Sequence, residues 1–286
     1  VGPGGLDPRV ADDRRAWARV LASAVRDRSH PRALVNGRGH VASLFAGPDA
    51  CLVWPDREVF SRDMRAAREV ECVVPLAPDG ASPRQRVVVV HDGEGAPVRT
   101  LMLFDGQIWR ANGVGWLTRR YRGLRVITID VGAAREREAV LTDVARVEAL
   151  IRSICDEVGV GPVTIAGQSY GGLAVLEAAL RTDKDIDVVI AQSPSLWWGG
   201  EHRGVGEGTL MGDLRAGWVR PRAGVTLRLQ VGTLEQTMRP VVDECAELLR
   251  NLGAAVELDH YRGGHDVAWW REGLLRALDG WWPLAY

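Results

Sequence analysis

Three features of the 286-residue sequence predict an α/β fold with a mostly parallel central sheet, helices on both faces and an antiparallel N-terminal hairpin. From residue 100 onward, apolar runs of strand length alternate with helix-period segments, the mark of a parallel sheet. Before that, the runs 69–77 and 84–93 are separated only by the turn sequence APDGASP and read as an antiparallel pair. The third feature is VTIAGQSYGGLAVLEAAL, residues 163–180, where an apolar strand runs through Gly167, Gln168, Ser169, Tyr170 and Gly171 straight into a helix with Leu173, Leu176, Ala179 and Leu180 on one face. A G-x-S-x-G turn between strand and helix is the nucleophile elbow of the α/β-hydrolase fold, which lifts a serine to the carboxyl edge of the sheet. Side chains at Gly167 and Gly171 are expected to collide with the crossing strand and helix.

Taken in order, residues 1–8 are rich in Gly and Pro. Residues 10–28 place Trp17, Val20, Leu21, Ala24 and Val25 on one face of an amphipathic helix. HPRALVNGRGH, 30–40, is turn chemistry around Asn36-Gly37 and Gly39. Residues 1–65 read as an N-terminal appendage and 66–286 as the catalytic domain. Within the latter, His91 follows a strand in a His-Asp-Gly turn. Strand 100–106 precedes a helix or loop around Trp109, and strand 125–130 precedes one long helix, 138–157, with Leu141, Val144, Val147, Ile151 and Ile154 on one face. After the elbow helix come strand 186–193, a Gly-rich excursion at 199–217, strand 225–232, a helix from about 238 to 251, strand 255–261 and a last helix, 266–279.

A hydrophobic fraction of 46% over this length supports a substantial core, and a formal net charge of −1 offers no global attraction to nucleic acid or to an anionic membrane. Basic charge is almost all arginine, with Lys184 the only lysine. Cys51, Cys72, Cys155 and Cys245 are far apart and show neither metal-ligand nor disulfide spacing, which suits a reducing cytoplasm. No apolar run reaches the length of a membrane-spanning helix, and the N-terminus offers no uninterrupted signal-like segment.

A serine hydroxyl needs a base to take its proton, usually a histidine held by a carboxylate, and in this fold the three arrive in the order Ser, acid, His at the ends of successive strands. Ser169 is the expected nucleophile. Glu235, three residues past Gly232, stands where the acid belongs, and His265, in YRGGHD after the last strand, where the base belongs. The Gly263-Gly264 pair would let that loop bring the ring over Ser169. Asp266 competes with Glu235 as the acid, and a Ser-His dyad without an acid is a further alternative. The oxyanion hole is assigned to the N–H groups of Tyr170 and Gln107, with Gly106 needed for backbone to approach the carbonyl. Trp109, Arg110, Trp197 and Trp198 fall on loops expected to face the site, whereas Trp269 and Trp270 read as core.

LMLFDGQIWR, VTIAGQSYGGLAVLEAAL, VIAQSPSLWW and YRGGHDVAWWREGL together resemble the enterochelin (enterobactin) esterase family, over about residues 70–286. NGRGHVASL, 36–44, resembles the segment that links this family's N-terminal domain to its hydrolase domain. Longer members begin with a β-rich domain, whereas only about 65 residues precede the hydrolase pattern here. The resemblance implies a serine esterase that opens the trilactone of a catecholate siderophore, free or ferric, for iron release. Ser169 is then nucleophile, His265 base and Glu235 acid, no cofactor takes part, and iron enters only as substrate cargo. Aromatic rings at 109, 197 and 198 suit catechols, and arginine suits an anionic ferric complex. A carboxylesterase or acyltransferase for another acyl group, or a siderophore-binding relative without turnover, stays open at this point.

Overall fold

The structure is a computed structural model, and it describes residues 25–27, 29, 32–37, 39–45, 47, 53–55, 67–74, 84–93, 95–132, 134–182, 186–199, 209–282 and 284. The amphipathic helix expected at 10–28 lies outside the described residues, but for its last positions, which are not helical.

An eight-stranded sheet forms the centre. Its strands in chain order are β3 (Ala67–Val74), β4 (Arg84–Asp92), β5 (Arg99–Phe104), β6 (Leu124–Ile129), β7 (Val163–Gln168), β8 (Ile186–Gln192), β9 (Thr226–Gly232) and β10 (Ala255–Tyr261). Across the sheet they lie in the order β10-β9-β8-β7-β5-β6-β4-β3, so one exchange, of β5 and β6, separates spatial from chain order. All neighbours from β10 to β6 pair parallel; β4 pairs antiparallel with both β6 and β3 and is the one reversed strand. The expected hairpin is therefore present. His91, however, lies within β4, opposite Val126, and is buried, so it is not a turn residue.

Strands covered on both faces read as continuous apolar runs. The side chains of β7 are buried throughout, as are those of β5 from Thr100 on. On one face Met102, Ile127, Ile165 and Val189 pack beneath α4 (Val144–Val158), α5 (Tyr170–Arg181) and α7 (Arg239–Asn251). On the other face Leu101, Leu103, Val126 and Ile190 pack beneath α1 (Gly106–Ala111), α2 (Leu117–Arg120) and α8 (Val267–Asp279).

The single helix expected at 138–157 is two. A first helix, α3 (Ala134–Leu141), ends before Thr142, and Asp143 caps α4 by accepting the Arg146 amide at 3.2 Å. An Asp at this position satisfies an amide that a continuous helix would have paired with a carbonyl. The Gly-rich excursion holds a further helix, α6 (Thr209–Ala216).

The segment read as turn chemistry at 30–40 forms two short antiparallel strands, β1 (Ala33–Val35) and β2 (Val41–Ser43), around a turn closed by Asn36. β1 is buried, and Asn112 at the end of α1 acts as its pairing partner: Oδ1 accepts the Val35 amide at 2.9 Å and Nδ2 donates to the Val35 carbonyl at 2.8 Å. Trp54 Nε1 donates to the Asn112 carbonyl at 2.7 Å, and Glu272 of α8 accepts the amides of Val53 and Trp54. The described part of the first 65 residues is thus bound onto α1 and α8, where it supports the helix that follows the β5 turn.

Candidate active site

The parallel strands put the residues following β5, β7, β8, β9 and β10 at one sheet edge, and every predicted site residue follows one of these strands. Ser169 occupies the β7–α5 turn with φ 57° and ψ −118°, a conformation disfavoured for a residue with a Cβ and costing on the order of 1–3 kcal/mol. The surroundings hold it there. Its amide donates to the Gln192 carbonyl at 2.9 Å, and its own carbonyl accepts the amides of Leu173 at 3.1 Å and Ser195 at 3.0 Å.

The glycine pattern of the elbow has a different cause from the one expected at one of its positions. A Cβ on Gly167 would stand 2.3 Å from the Gly171 carbonyl oxygen, so this residue must be glycine. At Gly171 the nearest atoms would be 3.5 Å away, which is ordinary contact; the second crowded position is Gly172, 2.9 Å from the Gln192 carbonyl.

Glu235 follows β9, and its side chain is only 3% exposed. Oε1 lies 2.7 Å from His265 Nδ1. Oε2 accepts the Gly232 amide at 2.7 Å, Ser193 Oγ at 2.7 Å and Tyr261 Oη at 3.0 Å, while Trp270 Nε1 donates to Ser193 Oγ at 3.1 Å. Burial alone would favour the neutral acid. The hydrogen bonds from His265, Ser193 and Gly232 outweigh it and hold the Glu235 carboxyl below its ordinary value, so it stays an anion. Asp266, the alternative acid, instead caps α8 through the Ala268 amide at 2.8 Å.

His265 stacks edge-on against Trp270, with ring centroids 4.8 Å apart. Its loop is shaped by space, not by freedom: a Cβ on Gly263 would fall 2.2 Å from the Trp269 ring, and neither Gly263 nor Gly264 has positive φ. The Ser169 hydroxyl pairs with Ser195 Oγ at 3.3 Å and not with His265. Catalytic hydrogen bonds of this kind are often loose before substrate arrives.

Gln107 and Tyr170 both lie in the first turn of a helix, α1 and α5, where backbone N–H groups have no intrahelical acceptor. Gly106 is needed for a reason other than the expected one: a Cβ there would meet Ile129 N at 2.7 Å, so the glycine lets α1 start against β6.

The four residues expected to line the substrate cleft separate. Trp109 is 2% exposed and packs in the core with Trp54, their centroids 6.0 Å apart, so its ring cannot meet substrate. Arg110 makes a two-pronged ion pair with Asp130, at 2.8 and 2.7 Å, and a bond to Thr128 Oγ1. Trp197 is 43% exposed, and with half-buried Trp198 it surrounds the Tyr170 ring, at 5.6 and 5.4 Å between centroids. Sequence reasoning missed Ser193, Ser195 and Tyr261. The segment QSPS, 192–195, at the end of a strand of the parallel series, was the available signal for the two serines.

Residues 145–280 match a family described as "Putative esterase". The iron(III) enterobactin esterase of Escherichia coli strain K12 is 27% identical over 303 residues, an alignment that covers 95% of this chain and 71% of that protein. The crystal structure of the ferric enterobactin esterase of Salmonella typhimurium superposes with a TM-score of 0.76 at 25% identity, covering 95% of this chain and 72% of that one. In sequence and in fold the chain is similar to the enterochelin (enterobactin) esterases. It is a carboxylic ester hydrolase with the α/β-hydrolase fold. The enterobactin esterase of Shigella flexneri, solved in the presence of 2,3-dihydroxy-N-benzoyl-serine, shares the fold with a TM-score of 0.77 at 24% identity, over 96% of this chain and 74% of that one. Among the described residues no helix is long and apolar enough to cross a membrane, and no group of three or more His, Cys, Asp or Glu could hold a metal ion.

Proposed function

We propose that this chain is a serine esterase that hydrolyses the ester bonds of a catecholate siderophore, the trilactone or its linear oligomers, free or as the ferric complex, in the cytoplasm. The observation that carries the reading is the 2.7 Å contact between His265 Nδ1 and a buried, ionised Glu235, at the sheet edge where Ser169 sits strained near the exposed Trp197 ring. Relatives named as iron(III) enterobactin esterases supply the substrate class.

Ser169 Oγ attacks the ester carbonyl as His265 Nε2 takes the hydroxyl proton, and Glu235 stabilises the imidazolium. The carbonyl oxygen gains negative charge in the tetrahedral intermediate and accepts the N–H groups of Tyr170 and Gln107. Collapse breaks the ester C–O bond, the departing seryl alkoxide takes the proton from His265, and an acyl-Ser169 remains. Water, deprotonated by the same histidine, attacks the acyl carbon; the bond to Ser169 Oγ then breaks, the serine takes the proton back from His265, and the acid product leaves. No step draws on a cofactor; iron travels with the substrate. Catechol rings have an apolar face to meet on Trp197 and on the Tyr170 ring behind it.

The test is a panel of catecholate trilactones, with and without iron, beside p-nitrophenyl butyrate, with products resolved by mass. The expected result is trilactone opening to dihydroxybenzoyl-serine oligomers, preferred over the short ester and abolished in Ser169→Ala. Absence of any trilactone preference would overturn the substrate assignment.

A further inference from the structure

Two residues of the site motifs, Asp105 of DGQ and Gln168 of GQS, have no role in the steps above. Asp105 links β5 to α1 and holds a left-handed backbone, φ 58° and ψ 41°, with its carboxylate almost wholly buried. Its Oδ1 accepts Arg137 Nε at 2.6 Å, and its Oδ2 accepts Arg137 Nη2 at 2.7 Å and Gln168 Nε2 at 3.3 Å. Arg137 Nη2 also reaches the Gln168 main-chain carbonyl at 3.3 Å, and its guanidinium lies 5.6 Å from the centre of the Tyr170 ring. Asp105 Oδ2 stands 3.5 Å from the place of a Cβ on Gly171.

These contacts join two segments that the sheet does not. The β5–β7 ladder ends at Leu103 paired with Ala166. Beyond it each chain turns into its helix, and the two N–H groups of the oxyanion hole lie there, on Gln107 two residues after Asp105 and on Tyr170 two residues after Gln168. The Asp105–Arg137 pair bridges the gap, gripping one turn through the carboxylate and the other through the Gln168 carbonyl and the Tyr170 ring.

We propose that Arg137 and Asp105 are positioning residues that hold the two oxyanion-hole amides at a fixed separation, and that Arg137 also neutralises the carboxylate buried beside them. This rests on the assignment of Ser169 as nucleophile and of those amides as its oxyanion hole. A bidentate arginine–carboxylate pair gives rigid geometry that a lysine cannot reproduce. An Asp105 anion without its partner opposes the negative charge that develops on the carbonyl oxygen a few ångströms away.

The test compares Arg137→Met, Arg137→Lys, Asp105→Asn and the double variant Asp105→Asn/Arg137→Met on p-nitrophenyl butyrate, with inhibition by phenylboronic acid measured in parallel. The boronate bonds to Ser169 Oγ and becomes a tetrahedral anion, so it reports the oxyanion hole without turnover. Arg137→Met is expected to lower kcat about 100-fold, the scale of losing one oxyanion donor, with KM within about threefold and the boronate Ki raised by a similar factor. The double variant is expected to recover about tenfold over Arg137→Met, because the unpaired anion is gone. A merely structural role would lower the melting temperature without that recovery and without moving kcat and Ki together. If Arg137→Met does not fold, Arg137→Lys decides: a roughly tenfold loss of kcat at near wild-type melting temperature supports the strut, and wild-type kcat with wild-type Ki overturns it. Full activity in Ser169→Ala would be a different failure, that of the nucleophile assignment itself.

Discussion

Glu235 Oε1 and His265 Nδ1 face each other at 2.7 Å although 30 positions separate them, one following β9 and the other β10. The contact is local in space because those strands are neighbours in parallel register, Gly232 beside Tyr261. It fixes Nδ1 as the ring nitrogen that carries the proton and leaves Nε2 outside the contact.

If Ser169 and His265 act as one unit, replacing either by Ala should lower kcat by about 10⁴ or more, and the double replacement should be little worse than either alone. Steady-state kinetics on p-nitrophenyl butyrate measures this. Additive losses in the double variant would remove the pairing.

Glu235→Gln should lower kcat by roughly 10² to 10⁴ with the fold retained, since the amide cannot stabilise the imidazolium. A loss under about threefold would point to a dyad.

Ser193→Ala removes a donor from Glu235 Oε2 and the acceptor of Trp270 Nε1. The Glu235 carboxyl is depressed below its ordinary 4.5, so the stability its partners contribute is present above that value and is lost as pH falls through the depressed one. Ser193→Ala should therefore be less stable than wild type by about 1 kcal/mol at neutral pH, and the gap should narrow as pH falls from 4.5 through the depressed value, where the folded carboxyl protonates. Melting temperatures across pH 3–7 show whether the two curves converge; parallel curves would mean that the serine acts only by packing.

Much of this site was legible in sequence because the fold converts strand order into position. An apolar run followed by a glycine-flanked serine and a helix has one common structural reading, and an acid and a histidine past the last two parallel strands fall at the same edge. What stayed hidden depends on contacts between distant residues. Asp105 and Arg137 are 32 positions apart, and Ser193 and Glu235 are 42 apart, with no local pattern joining them. The break between α3 and α4 was masked because Leu141, Val144 and Val147 keep helical spacing across it, although the Asp143 cap was readable. Trp109 and Arg110 are adjacent on α1, and a one-residue step on a helix turns a side chain by about 100°. One therefore faces the core and the other reaches Asp130, a distinction that reading both as loop residues could not make.

His91, buried in β4 with Nε2 lacking a hydrogen-bond partner, has its pKa lowered to about 4, first by burial and then by the Arg110 charge. The ordinary value is 6.5, so between 6.5 and about 4 the unfolded chain binds a proton that the folded chain refuses. Stability falls as pH falls through this window, by roughly 3 kcal/mol from this residue alone. His91→Leu should flatten that part of the stability–pH curve in denaturant titrations. An unchanged slope between pH 6.5 and 4.5 would show that the imidazole titrates as freely folded as unfolded.

Substrate choice separates the tryptophans. Trp197 is exposed over the ring of Tyr170, the residue after Ser169, whereas Trp109 is sealed in the core. Trp197→Ala should lower kcat/KM for a catecholate trilactone about 5- to 150-fold, through KM, and barely change a p-nitrophenyl ester, which has no second ring to stack; this corresponds to roughly 1–3 kcal/mol for one aromatic contact. Trp109→Ala should do the opposite, lowering stability by about 3–5 kcal/mol through the cavity it leaves and reducing activity on both substrates alike. Trp198, half-buried between Trp197 and the core, should show both effects in smaller measure. If Trp197→Ala costs the two substrates equally, its ring is a prop for Tyr170 and the elbow helix, and the catechol-binding surface must lie elsewhere along the sheet edge.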